Sequence, residues 1–212
     1  MNWREEYKKS DFLWGKEPWE GLKGAVGYAP KGTALDIGAG EGRNSIFLAK
    51  NGFDVLAIDK IPEGLEKLNG IAQKSNLSIT TKSTDVREFE FPREEYSLVL
   101  SIVALDFLKL AEFKELSEKI KSSLVSGGII CLSVFSLKDP FFKKLKQRKL
   151  EVPERNTFYL PSMKTYRHFF TKEEIKTIFG DLNIINLKER RFKDIGHGSP
   201  HFHETIEMIA KK

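Results

Sequence analysis

Cysteine is almost missing from this chain. Of 212 residues only Cys131 is one, so no disulfide can form within it. It sits inside the apolar run GGIICLSVF, where a small buried side chain is expected rather than a nucleophile. Long apolar runs are missing too. None approaches the roughly 20 residues that cross a bilayer, and the opening MNWREEYKKSDFLWGKEP has no apolar stretch of signal-peptide length. A soluble, cytoplasmic protein with no membrane partner is therefore expected. Nor does one charge dominate: 35 Lys and Arg stand against 30 Asp and Glu, a net charge of +5. That balance favours anionic partners but falls short of the basic stripe of a dedicated nucleic-acid binder. Repeats and low-complexity tracts do not occur, and this length can bury one full core. One domain over residues 1–212 is expected, with an N-terminal arm (1–30) and one insertion (136–170).

What the chain does contain is an alternation of short β-branched runs with longer amphipathic segments. The runs fall at 33–37, 53–58, 77–83, 96–102, 127–135, 183–192 and 204–212. Helical patterns fill the gaps as RNSIFLAKNG, PEGLEKLNGIAQK and LAEFKELSEKIKSSL, with Pro62 suited to a first turn and Gly52 to a helix end. Strands alternating with helices form a parallel, doubly wound α/β sheet with helices on both faces. Later, Thr171 and Glu174 make a capping box ahead of a further helix. Only a loop joins the last two runs, so the seventh strand is expected to be antiparallel.

The stretch ALDIGAGEGR places Gly38, Gly40 and Gly42 directly after the first strand, where open parallel sheets bind ligands. Glycines there let the backbone approach a ligand closely. The dinucleotide fingerprint needs G-x-G-x-x-G, and here Arg43 holds the third position. Asp36, two residues before the first glycine, would repel a diphosphate and attract an ammonium group. Asp59 ends the second strand, where an acid can accept hydrogen bonds from ribose hydroxyls. Asp85, after the third strand, can accept from an adenine amine while the next N–H serves the ring. An amino acid joined to an adenosine would use all of these groups.

The series Asp36-Ile37-Gly38-x-Gly40-x-Gly42, Asp59, Asp85 and YSLVLSIVALDFL resembles the class I S-adenosylmethionine-dependent methyltransferases over nearly the whole chain. WREEYKKSDFLWGKEPWEGL, ALDIGAGEGRNSIFLAKNGFDV and HGSPHFHETIEMIAKK are similar to the tellurite-resistance branch of small bacterial and archaeal enzymes. The resemblance implies a Rossmann-like seven-stranded sheet and S-adenosylmethionine as cofactor. It implies that Asp36, Gly38, Gly40 and Gly42 hold the methionine end, Asp59 the ribose, and Asp85 with Val86 the adenine, and Lys60 beside Asp59 is counted among the cofactor-binding residues. Ser101 and Val103 would form the edge near the sulfonium, with Trp14 in a lid over the cofactor.

Methyl transfer is an in-line displacement that needs alignment and exclusion of water more than a nucleophile or metal. Enzymes that methylate exocyclic amines of nucleobases carry a Pro-Pro-aromatic signature after the fourth strand, and SIVALDFL stands there instead. The acceptor site is expected from the arm, the insertion and the last loop. Trp14 and Trp19 either close over the ligands or staple the arm to the core. In the insertion, Lys143, Lys144, Lys146, Arg148 and Lys149 read as a solvated basic face, and Tyr159, Tyr166 and Arg167 as the better acceptor-pocket residues. HGSPHFH sets His197, His201 and His203 at the mouth of the site, His197 and His201 being candidates for general base or acceptor orientation. His201 and His203 share one face of a strand, but no well-spaced carboxylate or thiolate completes a metal set, so no metal is expected. His168 reads as structural. The expected activity is methylation of a small molecule, a thiol or chalcogen oxyanion such as tellurite. The alternatives are an RNA or protein methyltransferase and a non-catalytic cofactor-binding regulator, with a dehydrogenase the weakest.

Overall fold

The structure, a computed structural model, describes residues 3–9, 12–194, 196 and 198–212. Its strands are β1 (Thr33–Ile37), β2 (Asp54–Asp59), β3 (Ile79–Ser83), β4 (Tyr96–Ile102), β5 (Leu124–Phe135), β6 (Thr157–Leu160), β7 (Thr165–His168), β8 (Asn183–Asp194) and β9 (His201–Lys211). Its helices are α1 (Trp3–Lys9), α2 (Glu20–Ala25), α3 (Arg43–Lys50), α4 (Pro62–Ser75), α5 (Leu110–Ser123), α6 (Pro140–Lys146) and α7 (Lys172–Phe179), with a 3-10 turn at Leu105–Phe107. Seven strands form one sheet in the order β3-β2-β1-β4-β5-β9-β8, with β1 to β5 mutually parallel and β9 antiparallel to both of its neighbours. The doubly wound, mostly parallel sheet expected from the sequence is present, and the order turns at β1 and β4. Ligands bind at that turning point, off the carboxyl ends of the strands.

Strands buried on both faces read as continuous apolar runs because helices cover each side. Leu35, Ile37, Val99, Ile130, Leu132 and Val134 meet α5 and α7, while Ala34, Leu98, Leu100, Ile129 and Cys131 meet α2 and α3. On that second side, Leu65 and Leu68 of α4 pack on Ala57. Phe113 of α5 is fully buried, its ring 4.6 Å from that of Phe170 and 6.3 Å from that of Phe179. Each such side chain contributes about 1.5–3 kcal/mol through burial. The Thr171 capping box forms as expected: the Glu174 N–H donates to the Thr171 hydroxyl at 3.1 Å and the Thr171 N–H to Glu174 at 2.7 Å. It starts α7 in register with the core.

Residues 136–170 have more structure than expected. Asp139 caps α6, accepting from the Phe141 N–H at 2.7 Å with Pro140 in the first turn, and β6 and β7 pair as a hairpin outside the main sheet. Two four-residue strands are too short for a clear period-2 signal, although Thr, Phe and Tyr are good strand formers. β9 also begins at His201, three residues ahead of the expected start, so His201 and His203 both belong to it. Among the described residues no helix is long and apolar enough to cross a membrane.

Candidate active site

The loop from β1 to α3 turns through left-handed backbone at Gly38 (φ 73°), Gly40 (φ 56°) and Gly42 (φ 79°). Gly38 packs so closely that a Cβ there would stand 2.3 Å from the Ala104 Cβ. Gly38→Ala should therefore cost about 2 kcal/mol or more, from the left-handed backbone and the collision together. Urea unfolding measures it, and an unchanged midpoint would show that the loop relaxes freely. Asp59, at the end of β2, accepts the Gly40 N–H at 2.9 Å and the Ile61 N–H at 2.8 Å. Those two bonds leave about two of the carboxylate's roughly four acceptor positions for a ligand. Asp36 lies behind the loop, buried and accepting from the Ser45 hydroxyl at 2.6 Å. Burial pushes its pKa up to about 6, against the Ser45 bond, and the charge of Asp59 pushes the same way. Asp59 is likewise pushed up by burial against its two N–H bonds. Two buried carboxylates held this close to the loop favour a cationic ligand group and oppose a diphosphate.

The side chains of the same loop hold the N-terminal arm. Glu41, buried, accepts the Leu13 N–H and pairs with Lys67 at 2.9 Å; Arg43 donates to the Trp14 carbonyl at 2.6 Å; Asn44 accepts the Trp19 N–H at 2.7 Å. Burial lowers the Arg43 pKa, while Asp36 and Asp194 oppose that shift. Trp19 is buried against the core and its indole N–H donates to Glu207 at 2.9 Å, so it staples the arm. Trp14 faces the cavity, its ring 5.6 Å from that of Trp3. Both tryptophans reach the cavity wall, but of the two only Trp19 is packed into the core beneath the sheet.

Arm, loop and strand ends enclose a cavity of about 2110 Å³. Pockets for a single small ligand measure roughly 300–1,000 Å³, so this one has room for two. Residues 16–140 match the family described as tellurite resistance protein TehB. This chain belongs to the TehB family. A probable S-adenosyl-L-methionine-dependent methyltransferase TehB from Haemophilus influenzae is 30% identical over 186 residues, which cover 86% of this chain and 58% of that protein. This TehB-family chain thus spans little more than half of that curated relative. The crystal structure of TehB from the same organism superposes with a TM-score of 0.71 at 22% identity, covering 92% of this chain and 62% of that one. A Burkholderia thailandensis 1,6-didemethyltoxoflavin-N1-methyltransferase, solved with 1,6-didemethyltoxoflavin and S-adenosylhomocysteine bound, gives a TM-score of 0.66 at 18% identity, covering 98% of this chain and 84% of that one. The fold is that of the class I S-adenosylmethionine-dependent methyltransferases.

Within this TehB-family cavity the structure gathers Gly38, Gly40, Gly42, Asp59, Lys60, Asp85, Val86, Val103 and Trp14 on its walls. Asp36 and Ser101 lie beneath them, buried and off the lining. Asp85 is held by Arg87 at 2.9 Å and 2.6 Å, which keeps its carboxyl below the usual range. Val103 follows β4 at φ 53°, a strained backbone for a β-branched residue, held by its N–H donating to Ser133 at 2.8 Å.

Arg167, His201 and His203 line the same cavity. The buried Arg167 guanidinium lies 2.7 Å from Asp106 and stacks between Phe107 and Phe135, at 3.9 Å and 4.5 Å from the ring centres. Tyr166, its neighbour on β7, does not join them: alternation along the strand sets it against Tyr159, 5.2 Å away, with Lys109 4.6 Å over its ring. His197 lies outside the described residues. His168 is fully buried and bonded to the Thr157 hydroxyl at 2.7 Å, a place in the core rather than in the cavity. The expectation that no carboxylate accompanies the histidines needs correction, since Asp194 comes beside His201 and His203 through the pairing of β8 with β9. The part played by Glu41, Arg43 and Asn44 in holding the arm was missed, because a loop read for its glycines offers no sign of where its side chains point.

Proposed function

We propose that this chain methylates a small anionic acceptor, a thiol or chalcogen oxyanion, at the expense of S-adenosylmethionine. The reading rests on one arrangement: a two-ligand cavity whose wall carries a glycine loop, carboxylates and buried Arg167. Bound S-adenosylmethionine supplies a methyl group made electrophilic by its sulfonium. The glycine loop, with the negative field of Asp36 and Asp59 behind it, suits the cationic amino-acid end. The open acceptor positions of Asp59 suit ribose hydroxyls, and Asp85 with Val86 suit the adenine edge. Lys144, Arg148, Lys164 and Arg190 join Arg167 on the cavity wall and draw an anion toward it. Closure by the arm excludes water, so the displacement occurs with the acceptor already aligned. The same reading keeps the protein in the cytoplasm, without membrane or nucleic-acid partners.

Calorimetric titration with S-adenosylmethionine, S-adenosylhomocysteine and NADH tests the cofactor, and an acceptor screen with thiols, selenite and tellurite follows. Saturation by the two sulfur nucleotides alone supports the reading; NADH binding overturns it. Asp59→Ala should weaken S-adenosylmethionine binding by about 1–3 kcal/mol, roughly 5- to 150-fold, through loss of a charged acceptor. Unchanged affinity in a folded variant would remove the ribose role. Transfer to RNA instead of small acceptors, weakening steeply with salt, would replace the substrate class.

A further inference from the structure

The antiparallel pairing of β8 and β9 sets Asp194 opposite His201 and Phe192 opposite His203. One ligand atom from each of Asp194, His201 and His203 falls within 4.8 Å of the others. His203 Nε2 is 3.0 Å from His201 Nε2 and 3.7 Å from Asp194 Oδ2. Asp194 and His203 are buried, and His201 is half-buried at the cavity wall.

The far nitrogens of the two rings decide what this cluster can hold. His203 Nδ1 lies 2.8 Å from Asp139 Oδ2, and His201 Nδ1 lies 2.8 Å from the Ser199 carbonyl. A carboxylate and a carbonyl accept hydrogen bonds, so both rings carry a proton on Nδ1, and each ring in its neutral form presents a lone pair at Nε2. Two lone pairs aimed at each other across 3.0 Å repel unless a cation lies between them. Nitrogens bound to one ion at about 2.0–2.1 Å stand roughly 3.0–3.4 Å apart, which is the spacing found here.

We propose that Asp194, His201 and His203 bind a divalent first-row transition ion at the wall of the cavity. Two imidazoles with one carboxylate suit zinc, cobalt(II) or iron(II), whereas magnesium and calcium prefer all-oxygen sets. Three protein ligands leave positions open toward the cavity, and an anionic thiol or oxyanion is the kind of group that fills them. Asp139 acts as a positioning residue. It is fully buried, accepts the Glu204 N–H at 2.9 Å and the Phe141 N–H at 2.7 Å, and so holds the His203 ring from behind. The Phe135 and Phe192 rings, centred 4.6 Å and 5.8 Å from that of His203, fix its plane. The site stands whether or not the chain transfers methyl groups.

Its test is uptake of metal by the tag-free, chelator-stripped full chain. Zinc titrated calorimetrically should bind at one equivalent, and cobalt(II) should give visible absorption bands that zinc abolishes. His203→Ala and Asp194→Asn should remove tight binding. His201→Ala, at a half-exposed position that threatens folding least, should weaken it at least tenfold while thermal unfolding stays cooperative. Asp139→Asn should weaken it by roughly 10- to 100-fold without changing the stoichiometry. No saturable uptake by the unmodified chain overturns the proposal, as does full affinity in His201→Ala and Asp194→Asn. A proton shared between the two Nε2 atoms, seen by nitrogen NMR in a chain that takes up no metal, would replace the ion with a protonated pair.

Discussion

Arg167→Ala should lower the free energy of unfolding by about 3–5 kcal/mol, the cost of stranding one half of a buried ion pair. Asp106 is fully buried, and burial already pushes its carboxyl above the usual range, with Arg167 the largest influence holding it down. Their 2.7 Å approach is a charge contact rather than an aligned hydrogen bond, and among the described residues Arg167 Nε has no hydrogen-bond partner. Alanine removes the compensating charge and also the flat group between Phe107 and Phe135, so a cavity adds to the electrostatic loss. A paired replacement, Arg167→Met with Asp106→Leu, should recover most of the stability because it takes both charges away. Urea unfolding at constant slope measures both. If the single change costs less than about 1 kcal/mol, the pair is not load-sharing and Arg167 is held for the ligand alone. If the paired variant is stable yet takes up no acceptor, then stability and anion attraction are separate duties of one guanidinium.

How much of this was legible in the sequence depends on the range of the interactions. The runs at 33–37 and 96–102 announce buried parallel strands because both of their faces are covered, and Thr171 with Glu174 announces a helix start because the cap is local. Glycines at 38, 40 and 42 mark the ligand loop for the same local reason. Arg167 and Asp106 lie far apart in the chain, and neither carries a sign of its partner. Asp194 and His201 meet only through strand register, which a one-residue slip would undo. Tyr166 and Arg167 are equally plausible pocket residues as letters, and the pleat of β7 separates them. The tie between arm and loop is the clearest loss: Glu41, Arg43 and Asn44 look like generic polar residues beside glycines until the arm is seen lying over them.

Asp36→Asn should stabilise the ligand-free protein above about pH 6 and make little difference below about pH 4. The sign follows from proton linkage. An acid whose pKa rises from 3.8 unfolded to about 6 folded makes the native state bind more protons across that interval. Stability contributed at this position therefore falls as pH climbs from about 4 to 6, reaching a loss on the order of 3 kcal/mol above it. Asparagine keeps an acceptor for the Ser45 hydroxyl but must place a new N–H2 group, so the gain should stop short of that limit. Thermal or urea unfolding of both proteins at pH 4 and pH 8 measures the difference. A carboxylate that weakens its own fold, next to the glycine loop, has the character of a site residue rather than a core residue. Affinity for a cationic ligand should accordingly fall as pH drops through about 6, with protons released on binding near that pH. The variant should bind more weakly and without that dependence. Calorimetry of S-adenosylmethionine binding in two buffers of different ionisation enthalpy reads the proton count directly. Equal counts for the two proteins would confine Asp36 to the hydrogen bond with Ser45.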